Sequence, residues 1–219
     1  MRFTRFSGVA FIVSAVLFAA QVGFALPLLK PPVADAEWVP WLQEWRFSIS
    51  MADELLFFAP LSLIPGIACL YRVLRKVDQN KALLGCGIWA ASIPVYLVMA
   101  ILLGRLVYPV YAIELSLESY KLLLSLYSGG MHLIALLLGA AAIVLGFAIR
   151  KSQLGPSVAY LGWLAGALAI VGSYPWLIGA GATVAIQLLF SAWLALLGVR
   201  LLGTRWDAEM IENTEDARE

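Results

Sequence analysis

Six long apolar runs follow one another along this chain, at 6–29, 49–71, 82–103, 122–149, 158–178 and 182–202. A bilayer core about 30 Å thick takes about 20 residues of helix at about 1.5 Å each. Every run meets that length. In lipid each backbone N–H and C=O must find its partner within the spanning structure, and runs this long do so as helices rather than barrel strands. The sequence therefore predicts an all-α, polytopic membrane bundle of six transmembrane helices. Only 13% of residues are charged and 62% are hydrophobic, whereas soluble domains usually carry about 25% charged residues. No stretch is left from which to build a soluble domain. One transmembrane domain is expected over 1–205, followed by a tail at 206–219 that holds six acids and one arginine.

Lysine and arginine placement sets the expected orientation. With the N-terminus inside, the cytoplasmic set is Arg2, Arg5, Arg72, Arg75, Lys76, Lys81, Arg150, Lys151, Arg200, Arg205 and Arg218, against Lys30, Arg46, Arg105 and Lys121 outside. Both ends are thus expected in the cytoplasm. Arg2 and Arg5 before an apolar core, then Gly23-Phe24-Ala25, also fit a cleavable signal. The apolar run continues through Leu29, longer than a usual signal core, so a first span is the preferred reading. A net charge of +1 gives no reason to expect nucleic acid as a partner. Cys69 and Cys86 sit in apolar runs and read as small core residues. Two scattered cysteines and one histidine make no metal-ligand pattern, so neither metal nor cofactor is expected.

The first outer loop carries Glu37-Trp38-Val39-Pro40-Trp41 and Trp45. These read as an interfacial aromatic belt, with a lid over a pocket as the sharper alternative. The second outer loop, 104–121, reads as a short surface helix. The three uncharged residues Gly179-Ala180-Gly181 predict a tight turn and antiparallel packing of the last two runs. Gly162 and Gly166 form a GxxxG pattern, and Ala135/Gly139 and Ala142/Gly146 repeat the small-xxx-small spacing. Such residues let helix backbones approach closely where apolar burial gives no drive. Ser92-Ile93-Pro94 and Ser173-Tyr174-Pro175 look alike, a faint sign of a two-helix repeat.

No nucleotide-binding, hydrolase, zincin or dinucleotide motif occurs. Chemistry must then come from polar groups within the spans, where each ionisable side chain is a functional candidate. Asp53 and Glu54 open the second run; a helix N-terminus favours carboxylates there, and Arg105 is the expected ion-pair partner. His132 shares a helix face with Ser125 and Ser128. Gln21 shares one with Ser14, and Thr183, Gln187 and Ser191 form a stripe. Most of these groups, with Ser173 and Tyr174, fall in the outer half of the bilayer. They are either interhelical hydrogen bonds or the lining of an outward-opening pocket.

The stretch from Gly130-Met131-His132 through Leu145-Gly146, Arg150-Lys151-Ser152 and Leu161-Gly162 resembles a family of small bacterial six-helix membrane proteins of uncharacterised function. The resemblance implies a fold and a bacterial cytoplasmic-membrane location, and brings no activity. The preferred expectation is a non-enzymatic protein that binds or moves a small amphiphile or lipid through an outward-facing cavity whose candidate lining is His132, Ser128, Gln187, Gln21, Tyr174, Arg105 and one of Asp53 or Glu54. Membrane lipids are then its expected partners. An intramembrane enzyme using Asp53 or Glu54 with His132 on a lipid or isoprenoid is the second expectation. A regulatory protein acting through its acidic tail is the third.

Overall fold

The computed structural model describes residues 2–203 apart from 112 and 114, so the acidic tail predicted at 206–219 lies outside the described residues. The described chain is helical: α1 (Arg2–Phe24), α2 (Trp38–Glu44), α3 (Arg46–Leu74), α4 (Gln79–Val107), α5 (Leu117–Ile149), α6 (Pro156–Gly172), α7 (Pro175–Ile178) and α8 (Ala180–Gly203). Two 3-10 turns, Leu26–Leu29 and Asp35–Glu37, lie between α1 and α2. Among the described residues α1, α3, α4, α5 and α8 are long and apolar enough to cross a membrane, which marks a multi-pass membrane protein. α6 is apolar but has 17 residues, or about 25 Å of helix.

Two sequence expectations are corrected here. The run 158–178 is not one helix. α6 ends at Gly172, Tyr174 takes a non-helical conformation (φ −111°, ψ 68°), and Pro175 starts the single turn α7. Proline lacks an N–H and disfavours helical geometry in the residue before it, so a helix ends here. Pro60, Pro65 and Pro94 instead lie inside unbroken α3 and α4, so Ser92-Ile93-Pro94 and Ser173-Tyr174-Pro175 do not behave alike. Among its described residues the segment 104–121 does not form the separate surface helix expected either. α4 runs on to Val107, and α5 begins at Leu117, where the Ser116 hydroxyl caps it by accepting from the Ser119 N–H.

At the opposite end of the bundle Asp78 caps α4, accepting from the Lys81 N–H at 3.1 Å, and its carboxylate pairs with the Lys81 ammonium. Those bonds hold the Asp78 carboxyl below the usual carboxylate range.

Each long helix packs chiefly on two neighbours, and the contacts close a ring in the order α1, α3, α4, α5, α6, α8 and back to α1. Small residues set the tightest crossings. A methyl on Gly198 of α8 would lie 2.6 Å from the Gly8 carbonyl oxygen of α1, and one on Gly166 of α6 would lie 2.8 Å from the Gly139 carbonyl oxygen of α5. Gly162 faces the Trp193 indole of α8, whose Nε1 donates to the Val158 carbonyl at 3.0 Å. Gly172 meets Ile186 further up, so α6 and α8 run antiparallel. α1 is tied to α3 by Ser7 and Ser14, which donate to the carbonyls of Pro65 (3.0 Å) and Ala59 (2.8 Å). It is an integral wall of the bundle.

The centre of the ring is filled differently at its two ends. Towards the end that bears Arg72 and Lys81, the Trp89 and Trp193 rings stack at 5.5 Å and 15°, with Phe11 5.7 Å from Trp89 and Phe190 5.3 Å from Trp193. Both indoles are fully buried. This aromatic plug closes the ring. Towards the α2 end the centre is open.

Candidate functional site: a cleft above the aromatic plug

The open half begins where α6 stops. His132 lies at the midpoint of α5, and its Nδ1 is 2.7 Å from the Ser173 carbonyl oxygen, just past the end of α6. α6 therefore reaches only the level of α5's midpoint, and above it α5 and α8 have only the turn α7 between them. The resulting cleft has a volume of about 560 Å3, within the range of about 300–1,000 Å3 usual for small-molecule sites. A narrower branch of about 90 Å3 continues down to Trp89 and Leu194. Gln21, Met131, Ala135, Gly172, Thr183 and Gln187 line both parts and form the neck between them.

Irregular backbone at membrane depth is tolerated where it is buried in protein or lines a cavity. Gly172, Ser173 and Pro175 line this one. A carbonyl oxygen accepts only, so the bond to Ser173 places a hydrogen on His132 Nδ1. The imidazole also meets the Tyr174 ring edge-on at 4.9 Å.

The wall hydroxyls are turned to their own helices. Ser128 donates to the Leu124 carbonyl (2.9 Å), Thr183 to Gly179 (3.0 Å), Ser191 to Gln187 (3.0 Å) and Ser173 to Ile170 (2.7 Å). Their hydrogens are spent, so these groups present oxygen lone pairs to the cleft.

Trp38 from α2 is buried and lines the mouth, with Trp41 packed edge-on against it at 5.9 Å. The turn before α2 is latched to the start of α5 by Lys121 Nζ to Asp35 Oδ1, 2.6 Å. Of the tryptophans in this loop, Trp38 is buried and lines the cleft, whereas Trp45 is exposed.

The structure thus brings Gln21, Ser128, His132 and Gln187 to one cleft, with Tyr174 against the histidine. It does not bring Asp53, Glu54 or Arg105 there. Asp53 is buried against α4, its carboxylate accommodated by the missing side chain of Gly104. Glu54 is exposed and accepts from the Tyr108 hydroxyl at 3.1 Å. Adjacent residues on a helix point about 100° apart, and both of these turn away from the cleft towards α4 and its exit.

Arg105 pairs with neither carboxylate. Its guanidinium donates to the carbonyls of Tyr108 (3.2 Å) and Ile113 (3.4 Å), bordering a separate hollow with Arg46 and Tyr120. Acid–base chemistry needs its groups within hydrogen-bond reach of one reacting atom or one water away, and Asp53 and Glu54 are not among the described residues that line the cleft with His132.

Trp38 at the mouth and Trp89 at the floor are among the lining residues that the sequence did not single out as site residues. Only the clustering of tryptophans before α3 pointed to the first, and nothing local pointed to the second. Comparison of the chain with family models, with curated proteins and with solved structures returns no match.

Proposed function

We propose that this protein binds or moves a small amphiphile or lipid, taken into the central cleft from the outer leaflet of a bacterial cytoplasmic membrane. The observation that carries this reading is the break between α6 and α7. A helix is given up at mid-bundle depth, and the freed backbone, held by the single histidine, becomes the wall of a mostly apolar cleft. Interrupted helices at such depth are a recurrent way to build membrane binding sites. A fully apolar pocket would do for a hydrocarbon alone; Gln21, Gln187, His132 and the hydroxyl oxygens suit a molecule with a polar head. The aromatic plug favours a pocket with one mouth over a through-channel.

The outer-leaflet assignment rests on six spans, with α6 and α7 together making the fifth, and on eleven cationic side chains inside against four outside. Reporter fusions at residue 203 and within the loop between Lys30 and Trp38 are expected to report opposite sides, cytoplasmic and external respectively. The same side for both would reject that topology.

The binding reading is tested by mass spectrometry of protein purified in a mild detergent. One amphiphile per chain is expected to leave only on denaturation. Chains that bind no amphiphile, whether as purified or after incubation with membrane lipid extract, would overturn it.

A further inference from the structure

The cleft carries charge of one sign only. No aspartate, glutamate or arginine is among the described residues that line it or its lower branch, and Lys121 is the one lysine. Lys121 stands in the second turn of α5, and Ser125, Ser128 and His132 follow it at i+4, i+7 and i+11. Residues so spaced share a helix face, and all four line the cleft. By helix rise His132 is about 16 Å deeper than Lys121. A polar stripe thus runs from a cation at the rim to the imidazole at mid-bundle depth. Below it the walls are mainly apolar, with Leu63, Leu138 and Leu194 among them.

Lys121 is not locked into its present pairing. An ammonium has three N–H donors, and Asp35 Oδ1 takes one of them at 2.6 Å. Asp35 reaches it from the turn before α2 and is not among the described residues that line the cleft. The two side chains are 41% and 67% exposed, and an ion pair so open contributes little. The flexible four-carbon stem of lysine lets the ammonium swing between partners. An anion inside the cleft meets the same cation between low-dielectric walls, where the attraction is stronger than in water.

Resting on the cleft reading above, we infer that the ligand is a single-chain amphiphile with an anionic oxyacid head, a carboxylate or a phosphate. The head pairs with Lys121 in place of Asp35, at the rim of the bundle, and the chain descends past Ser128 and His132 towards the plug. The way down narrows from about 560 to about 90 Å3, which favours one chain over two. A cationic head would meet the one charge there with its own sign, and like charges brought together are a cost.

The test compares four dodecyl amphiphiles that differ in the head: dodecanoate, dodecyl phosphate, dodecanol and dodecyltrimethylammonium. They are titrated into the full chain in a neutral maltoside detergent at about pH 8, where a carboxylate and a phosphate are both ionised. Tryptophan fluorescence reads the binding, and native mass spectrometry checks for one ligand per chain. At least one of the two anions is expected to bind about tenfold or more tightly than dodecanol, and the ammonium compound more weakly than dodecanol. The tighter anion identifies the source of the head. Anions that bind no more tightly than dodecanol would overturn the anion proposal and leave the cleft reading standing. No binding of any of the four would overturn both.

Two variants separate a ligand-binding lysine from a merely structural ion pair. In Lys121→Gln the ratio of anion to dodecanol affinity is expected to fall to about one while dodecanol still binds, which also shows that the cleft is intact. Asp35→Asn removes the competing carboxylate and is expected to raise anion affinity about threefold. If the pair only tethered the turn before α2 to α5, both variants would weaken binding. An Asp35→Asn chain that binds the anion no more tightly than wild type would overturn the exchange with Asp35. A ratio that survives Lys121→Gln would overturn the role of Lys121.

Discussion

Replacing Gly166 by leucine is expected to lower the melting temperature of the detergent-purified protein by roughly 5–10 °C. A Cβ at this position would lie 2.8 Å from the Gly139 carbonyl oxygen, 3.0 Å from Ile143 Cγ1 and 3.2 Å from Ala142 Cβ; the isoleucine can turn, but the backbone oxygen and the alanine methyl cannot. α5 and α6 must separate. Overpacking of this kind costs about 1–3 kcal/mol or more, and a protein of this size loses about 2–4 °C per kcal/mol. Between membrane helices close packing is itself the associating force, so the contact has no compensating term from apolar burial.

Gly87→Leu is the matched control, because nothing lies within 4 Å of a Cβ on Gly87 of α4 and leucine favours helix over glycine. It is expected to leave the melting temperature unchanged or slightly raised. Equal behaviour of the two variants in a thermal melt would mean that α5 and α6 do not meet at Gly139 and Gly166.

Ala135→Trp is expected to remove the co-purifying amphiphile, lowering ligand retention at least about tenfold, with little change in melting temperature. Ala135 lines both the wide cleft and its lower branch, so an indole there occupies the neck through which a ligand's chain must pass. Blocking contacts worth about 1.4 kcal/mol already gives a tenfold loss. The added ring enters open volume rather than a packed core, which separates this variant from Gly166→Leu: one loses the ligand and keeps the fold, the other loosens the fold. Quantitative mass spectrometry of the extract, normalised to folded protein, reads the outcome. Wild-type ligand content in folded Ala135→Trp would place the ligand outside the cleft.

The positions of the long helices were legible because span length is a local property. Hydrophobic length and the cost of unbonded backbone in lipid decide it without reference to any neighbour. Gly162, Gly166, Gly139 and Gly146 were legible as contact positions for a similar reason, since small residues at four-residue spacing are a local allowance for close approach. The α1–α8 crossing at Gly8 and Gly198 was missed because Gly198 has leucines, not small residues, four positions to either side. The break after Gly172 was missed too. Ser173, Tyr174 and Trp176 carry no charge, so the run reads on to Ile178, and proline alone does not decide the matter when Pro60, Pro65 and Pro94 sit inside intact helices.

The candidate site divides in the same way. Gln21, Ser128, His132 and Gln187 were found as polar side chains in apolar runs, and they do share a cleft. Asp53, Glu54 and Arg105 were found by the same criterion and lie elsewhere, and Trp38 was legible only as one of a cluster.

What the sequence determined by itself is that this chain is a multi-pass helical membrane protein, roughly where its long helices run apart from the break after Gly172, and which residues are costly to leave in lipid. Only the tertiary structure decided that the helices close into a ring, that α6 stops halfway and opens a cleft above the Trp89–Trp193 plug, and which faces look into it. The physical reason is that lipid tails and a protein interior are equally apolar. A helix that meets lipid on one side and protein on the other shows no hydrophobic stripe, so direction within the bundle is set by packing alone.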